Sequence, residues 1–289
     1  MSAVFRIFGL KFKHLAVSVI TLTSDIGLQD YLVGAIKGML IQNCPDHQLI
    51  DISHDIMPFN FPQAVYICKS AIPWFPAGSF HFMLVNLFVK HPESLMLCRH
   101  KGHYFFSANN GLLPMVLGEQ PEEAYCIALE GPIHTLDIVN RFTEIVAALH
   151  QGAGPEELGP PVEQLVQQNA LKPFIQDDYI EGQIIYIDRF ENVIVNITKS
   201  MFERSRKGRS FRIYVMRDDY ITRIHENYAD VPEGSKVALF NTAGYLEIAI
   251  NKGNAAGLFG LQSYSQETQS AGMQFHKHLF YQTVRIHFA

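Results

Sequence analysis

Two kinds of apolar pattern alternate through the first half of the chain. Residues 16–23 are apolar and rich in β-branched side chains, which predicts a buried strand. Residues 30–42 then place Leu32, Val33, Ile36, Leu40 and Ile41 at helical spacing. A short apolar run at 48–52 predicts a second strand, and Ala64, Ile67, Cys68 and Ala71 predict a helix over 62–72. Residues 79–86, with Phe80, Phe82 and Leu84, predict a third strand. Strand, helix, strand, helix, strand implies a mostly parallel sheet with helices on its faces. Residues 95–98 and 103–107 read as two further strands joined by 99–102, and 142–150 as another helix.

The pattern changes after residues 154–161, which hold five prolines and glycines. A mostly polar stretch follows and leads to Pro173, which places a domain boundary near 170–179. Beyond it, short β-rich runs at 181–188, 193–198, 211–216, 236–241, 245–250 and 281–288 are separated by turn signals. The expected fold is therefore an α/β N-terminal domain over 1–175, with a leader at 1–16, and an all-β, barrel-like C-terminal domain over 180–289.

Composition narrows the function classes. The 289 residues are 48% hydrophobic and 18% charged, enough apolar mass for two cores. A formal net charge of -5 argues against a nucleic-acid partner, because phosphate binding depends on excess Lys and Arg. The local basic run Arg204, Arg206, Lys207, Arg209 is expected to be a solvated loop. Cys44, Cys68, Cys98 and Cys126 stand far apart, which predicts reduced thiols and a cytoplasmic protein. No stretch approaches the roughly 20 apolar residues of a membrane span, so no membrane partner is expected. The 13 histidines are scattered, with no metal-ligand spacing, and no metal is expected.

Four segments carry polar residues where strands end, the place where open α/β sheets bind ligands. In the first, Asp25 closes a buried strand and Asp30 precedes a helix. A carboxylate there can accept from a ribose diol or cap the helix, and the spacing favours neither. In the second, Phe59 could form an aromatic wall, and His54 is either an acid–base group or, with more weight, a buried hydrogen-bonded side chain. In the third, Asn109, Asn110 and Gly111 follow a strand, where a plain Asn-Gly turn competes with a binding role. The fourth pairs 187–196, containing Asp188 and Asn192, with 240–256, containing Thr242 and Ala243. Amides and carboxylates between apolar strands suit a zwitterionic, base-bearing ligand.

Seven motifs in order, TLTSDIGLQDYLVGAIKG, DISHDIMPF, FPAGSFH, ANNGLL, GPEELG, IDRFENVIVNI and NTAGYLEIAINKGNAA, resemble the S-adenosylmethionine hydroxide adenosyltransferase family, which also contains the fluorinase and chlorinase. The resemblance runs over residues 19–261. It implies a trimer whose nucleoside ligand lies between the first domain of one subunit and the second domain of a neighbour. By motif position, Asp25 resembles the ribose-diol acceptor and Phe59 the wall beside the sugar. Asp30 and Asp188 match carboxylates facing the methionine ammonium. Asn192 matches a group at the adenine edge, and the backbone at Thr242 and Ala243 the segment holding the methionine carboxylate. S-adenosylmethionine is then substrate or ligand, and no separate cofactor is implied.

The sequence departs from the hydrolytic members where they carry an Asp, an Arg and a His. Asn86 takes the Asp position, Glu93 the Arg position and Asp137 the His position. An amide has no basic lone pair with which to take a proton. Three readings follow: a rearranged set drawn from Glu93, His91 or Asp137 that hydrolyses S-adenosylmethionine to adenosine and methionine; a nucleoside-binding protein without turnover; or use of another nucleophile. The halide-specific serine-rich feature of the halogenating members is not visible. A methyltransferase would share the ligand, but the glycine-rich loop such enzymes carry after the first strand is missing.

Overall fold

The computed structural model describes residues 18–88, 95–129, 133–216, 218–261 and 282–289. The expected leader, His91 and Glu93 fall outside them. The chain divides into two compact units, the first drawn from Met1–Asp55, Ala71–Leu113 and Glu119–Val166 and the second from Ile56–Ser70, Pro114–Gly118 and Gln167–Ala289.

The elements of the first half, in chain order, are β1 (Ser18–Ser24), α1 (Leu32–Asn43), β2 (His47–Ser53), α2 (Phe61–Ala71), β3 (Phe80–Leu84), β4 (Leu95–His100), β5 (His103–Ala108), α3 (Leu112–Leu117), β6 (Glu123–Ile127) and α4 (Thr135–His150). The strands form one sheet in the order β2-β1-β3-β5-β4-β6. The sheet is mixed: β2, β1, β3 and β5 pair in parallel, as a parallel sheet requires, and β4 is antiparallel to both β5 and β6. The reason is the link between β4 and β5. Only Lys101 and Gly102 separate these strands, both at positive φ (49° and 77°), the backbone of a tight hairpin turn. A parallel pairing needs a crossover of a dozen or more residues.

Helix α1 buries Val33, Ile36 and Leu40 on one face and stops before Pro45, which cannot continue a helix. Helix α4 starts earlier than the apolar spacing predicted, because a capping box at His134 and Asp137 opens it. Its Phe142 packs against Phe82 and Phe106 at centroid separations of 5.3 and 5.0 Å, with all three rings fully buried. Burying each ring contributes about 1.5–3 kcal/mol.

The second unit holds nearly all of α2, the end of α3 and the C-terminal elements: β7 (Phe174–Ile175), β8 (Tyr179–Ile187), β9 (Val193–Thr198), α5 (Lys199–Arg206), β10 (Phe211–Met216), β11 (Asp219–Ile221), β12 (Ile224–His225), β13 (Lys236–Phe240), β14 (Tyr245–Ile250) and β15 (Thr283–Phe288). The strand order is β11-β10-β15-β8-β9-β14-β13-β12, with β7 added to β8. The first part of β8 pairs with β15 and its last part with β9, so the sheet curls into a half-barrel about this strand. Its concave face packs Ile184, Phe202, Ile213, Leu246, Ile248 and Ile286. The basic run expected as a loop is partly helical. Arg204 and Arg206 lie in the last turn of α5, where cations oppose the negative helix end, and Lys207 ends the helix in the left-handed region.

Candidate functional site

In the first unit, β2 and β3 flank β1, so successive connections leave β1 and β3 in opposite directions. Ligand crevices in such sheets open at the carboxyl ends of the two strands where the order reverses. Ser24 is in register with Leu84 there. The next residue, Asp25, accepts a hydrogen bond from the Asn86 backbone N–H at 3.0 Å, and the Asp25 N–H points to Leu84 O at 3.4 Å. Asn86 sits in the left-handed region at φ 47°, which Asn tolerates better than most residues. Its conformation is pinned by Asn110, whose amide donates to Val85 O and Asn86 O, both at 2.9 Å, while its oxygen caps Leu112 N–H at 3.0 Å. Asn110 is thus more than part of an Asn-Gly turn: it couples the loops after β3 and β5.

A second chain of hydrogen bonds supports the same strand end from behind. Ser24 Oγ and His54 Nδ1 are 2.7 Å apart, His54 Nε2 is 3.2 Å from Asp51 Oδ1, and Asp51 pairs with Lys37. His54 is buried, and its backbone carbonyl accepts from Gly27 N–H at 2.9 Å. The structure therefore places His54 as a bonded interior histidine that holds the Asp25 loop. The lysine salt bridge and the His54 contacts hold the Asp51 carboxyl below its ordinary range, against burial, which opposes them.

Asp25 makes a long-range contact, whereas Asp30 accepts from Leu32 N–H at 2.8 Å and caps α1. Asp137 accepts from His134 N–H at 2.9 Å at the start of α4, so its carboxylate is engaged in capping.

The second unit carries its own polar cluster at the β8–β9 turn. Asp188 accepts from the Phe190 and Asn192 N–H groups at 2.9 and 2.8 Å and from the Asn192 amide at 3.0 Å. Asp188 and Asn192 line a cavity of about 440 Å³ together with Phe190, Tyr228 and Asn251. Next to them, Tyr228 Oη donates to Glu247 Oε1 at 2.6 Å, and Glu247 is only 4% exposed. Burial pushes the Glu247 carboxyl above its ordinary range and the nearby Asp188 charge adds to this, while bonds from Tyr228, Asn241 and Asn192 oppose it. Burial, reinforced by Glu247, raises the Tyr66 phenol to about 12, and its oxygen accepts from the Asn241 amide at 3.1 Å. Asn241 also shapes the β13–β14 turn: its Oδ1 accepts from Ala243 and Tyr245 N–H, both at 3.1 Å. The Ala243 N–H is therefore engaged within the turn, and Thr242 and Ala243 are both exposed.

Phe59 is 73% exposed at φ 63°, and Phe190 is 77% exposed. Sequence reasoning singled out the segments of the second cluster but missed Glu247, Tyr228 and Tyr66 as site residues. The available signal for Glu247 was a charged residue between Leu246 and Ile248 in an otherwise apolar strand, a placement such residues rarely take without a partner. No group of three or more His, Cys, Asp or Glu residues suited to a metal occurs among the described residues. No helix among them is long and apolar enough to cross a membrane.

Residues 20–159 match the family model described as the SAM hydroxide adenosyltransferase N-terminal domain, and residues 182–267 the corresponding C-terminal domain. An (R)-S-adenosyl-L-methionine hydrolase of Thermus thermophilus is 28% identical over 257 residues, covering 83% of this chain and 94% of its own. A protein of the same name from Methanocaldococcus jannaschii is 27% identical over 282 residues, covering 88% and 96%. A fluorinase of Nocardia brasiliensis is 25% identical over 285 residues, covering 85% and 94%. Among solved structures, a conserved protein from Thermotoga maritima superposes with a TM-score of 0.76 at 23% identity, over 93% of this chain and 99% of that one, and shares the fold.

Proposed function

The chain belongs to the SAM hydroxide adenosyltransferase family, and from that premise we propose that it binds S-adenosylmethionine and hydrolyses it to adenosine and methionine. The observation that carries the reading is the carboxylate of Asp25, held by Asn86 N–H at the carboxyl end of β1 beside β3. Relatives named (R)-S-adenosyl-L-methionine hydrolase match most of the chain and support it. In the reaction, water oxygen attacks the ribose C5′ carbon as the C5′–sulfonium bond breaks. The bonding pair goes to sulfur, methionine leaves as a neutral thioether, and the attacking water loses a proton.

The residues divide the work by position. Asp25 accepts from the ribose diol, and its orientation is set by the Asn86 and Leu84 backbone. Asp188 and Asn192 take the ammonium and the adenine edge, and Phe59 lies along the sugar. Holding sugar and nucleophile in line supplies most of what a displacement of this kind needs. We place the complete pocket between neighbouring subunits of a homotrimer in the cytoplasm, with S-adenosylmethionine as substrate and no further cofactor. Phe59 and Phe190 are both exposed, and Phe190 lines the cavity of Asp188 and Asn192, which supports an assembly that covers them.

Asn86 favours a second reading, binding without turnover. Its amide stands where the hydrolytic pattern has an Asp, and its carbonyl is tied to Asn110. Incubation of the purified chain with S-adenosylmethionine separates the readings by chromatography of the products. Adenosine and methionine in equal amounts establish hydrolysis. Saturable binding with no product establishes the binding protein, and neither binding nor product refutes both.

A further inference from the structure

The second unit contains a larger cavity, of about 700 Å³, that the nucleoside reading does not use. It is lined by Lys69 and Tyr66 of α2, Met115 of α3, Leu171 of the segment before β7, Asn196 of β9 and Tyr245 of β14. Its size is that of a small-molecule site, apolar over most of its wall with a few polar groups converging on it.

The charges on that wall are of one sign. Lys69 and the exposed Lys172 line it, and no Asp or Glu does. The Lys69 ammonium lies 3.5 Å from the point a side-chain carbon on Gly118 would occupy, and it makes no hydrogen bond or ion pair among the described residues. A half-buried ammonium with no anion beside it is costly to keep charged. Burial accordingly draws its pKa below the ordinary lysine value. Two phenols share the cavity. Tyr66 accepts from Asn241 and keeps its own O–H to give, while the Tyr245 ring meets the Tyr66 ring edge-on at 5.4 Å. The Tyr245 hydroxyl has no hydrogen-bond partner among the described residues.

We propose that this cavity is a second ligand site, separate from the nucleoside cluster, that takes an amphipathic carboxylate. The carboxylate lies between the Lys69 ammonium and the Tyr245 hydroxyl, and the apolar body lies along Met115 and Leu171. An ammonium and a phenol O–H match the two oxygens of a carboxylate. No arginine lines the wall, so it lacks the fork that often holds phosphate. The α5 N-terminus reaches it at Thr198 and Met201, but Met201 N–H donates to Thr198 Oγ1 at 3.3 Å and Lys199 N–H to Gly244 O at 2.9 Å. Asn196 is spent on the walls themselves: it accepts from Gln183 N–H at 2.7 Å and donates to Leu171 O at 2.9 Å, keeping the segment before β7 in place.

Isothermal titration of the full chain with octanoate tests this, with octylamine and octanol as probes of the same length and different charge. Octanoate should bind with one site per chain, and octylamine should not bind. Lys69→Met, which keeps the stem and removes the charge, should weaken octanoate by about tenfold or more, whereas Lys69→Arg should stay within a few-fold of wild type. Thermal unfolding of each variant shows whether it is folded. Should Lys69→Met not fold, the comparison of octanoate with octylamine on the wild-type chain decides the matter. Equal binding of the two, unchanged octanoate affinity in a folded Lys69→Met, or displacement of octanoate by inorganic phosphate would overturn the proposal. Because octanoate carries no nucleoside, the result is independent of whether the chain turns over S-adenosylmethionine.

Discussion

Replacing Asp25 by Ala separates ligand recognition from folding. In the free chain the Asp25 carboxylate accepts a backbone hydrogen bond from Asn86 N–H. Losing that acceptor costs about 1 kcal/mol of stability, since the loop lies near solvent and water can take its place. The proposed ligand contact is larger, because the carboxylate accepts two charge-assisted bonds from the ribose diol. At about 1.5–3 kcal/mol each these sum to about 3–6 kcal/mol. At 1.4 kcal/mol per tenfold, Kd should rise by about two to four powers of ten. Adenosine titrated calorimetrically gives the affinity, and urea unfolding of the same preparations gives the stability. Asp25→Asn should lie between the two, since its amide oxygen still accepts from Asn86 N–H while the charge is gone. An Ala variant that binds adenosine within about tenfold of wild type shows that the ribose is held elsewhere. A stability loss of several kcal/mol with unchanged affinity would make Asp25 a structural residue.

Three further outcomes are expected. Asn86→Asp, at a backbone conformation Asp also tolerates, should raise the rate of adenosine release from S-adenosylmethionine; an unchanged rate would show that more than one catalytic group has been lost. Glu247 has a folded-state pKa above its ordinary 4.5, so its contribution to stability is full below that value and is lost as pH rises through the raised one. Glu247→Gln should abolish that fall, and urea midpoints that decline with pH equally in variant and wild type would disprove the assignment. Gly159→Ala would place a methyl carbon 2.0 Å from the Cys126 carbonyl oxygen, where the strap at Pro160 and Val162 is hydrogen-bonded to β6. It should destabilise the chain by about 1–3 kcal/mol, read as a lowered urea midpoint, and an unchanged midpoint would show that the strap yields freely.

Much of the architecture could be read from local pattern. The spacing of Leu32, Val33, Ile36 and Leu40 specified α1, and the β-rich run at 181–188 between turn signals specified most of β8, because each depends only on residues a few positions apart. Elements whose existence depends on a cap or on a distant partner were missed. The first turns of α4 come from the His134 and Asp137 box, and β6 is defined by its pairing with β4.

The sequence by itself determined the element types of the two halves and the order of motifs that marks the family. Tertiary structure alone decided that Asp25 meets Asn86 across 61 positions and that Glu247 bonds Tyr228 19 positions away. It also decided which aspartates serve as caps and left Lys69 facing a cavity without a counter-charge. Local periodicity records which face of an element is apolar. Which polar groups meet depends on how the chain closes its loops, and no short-range pattern carries that information.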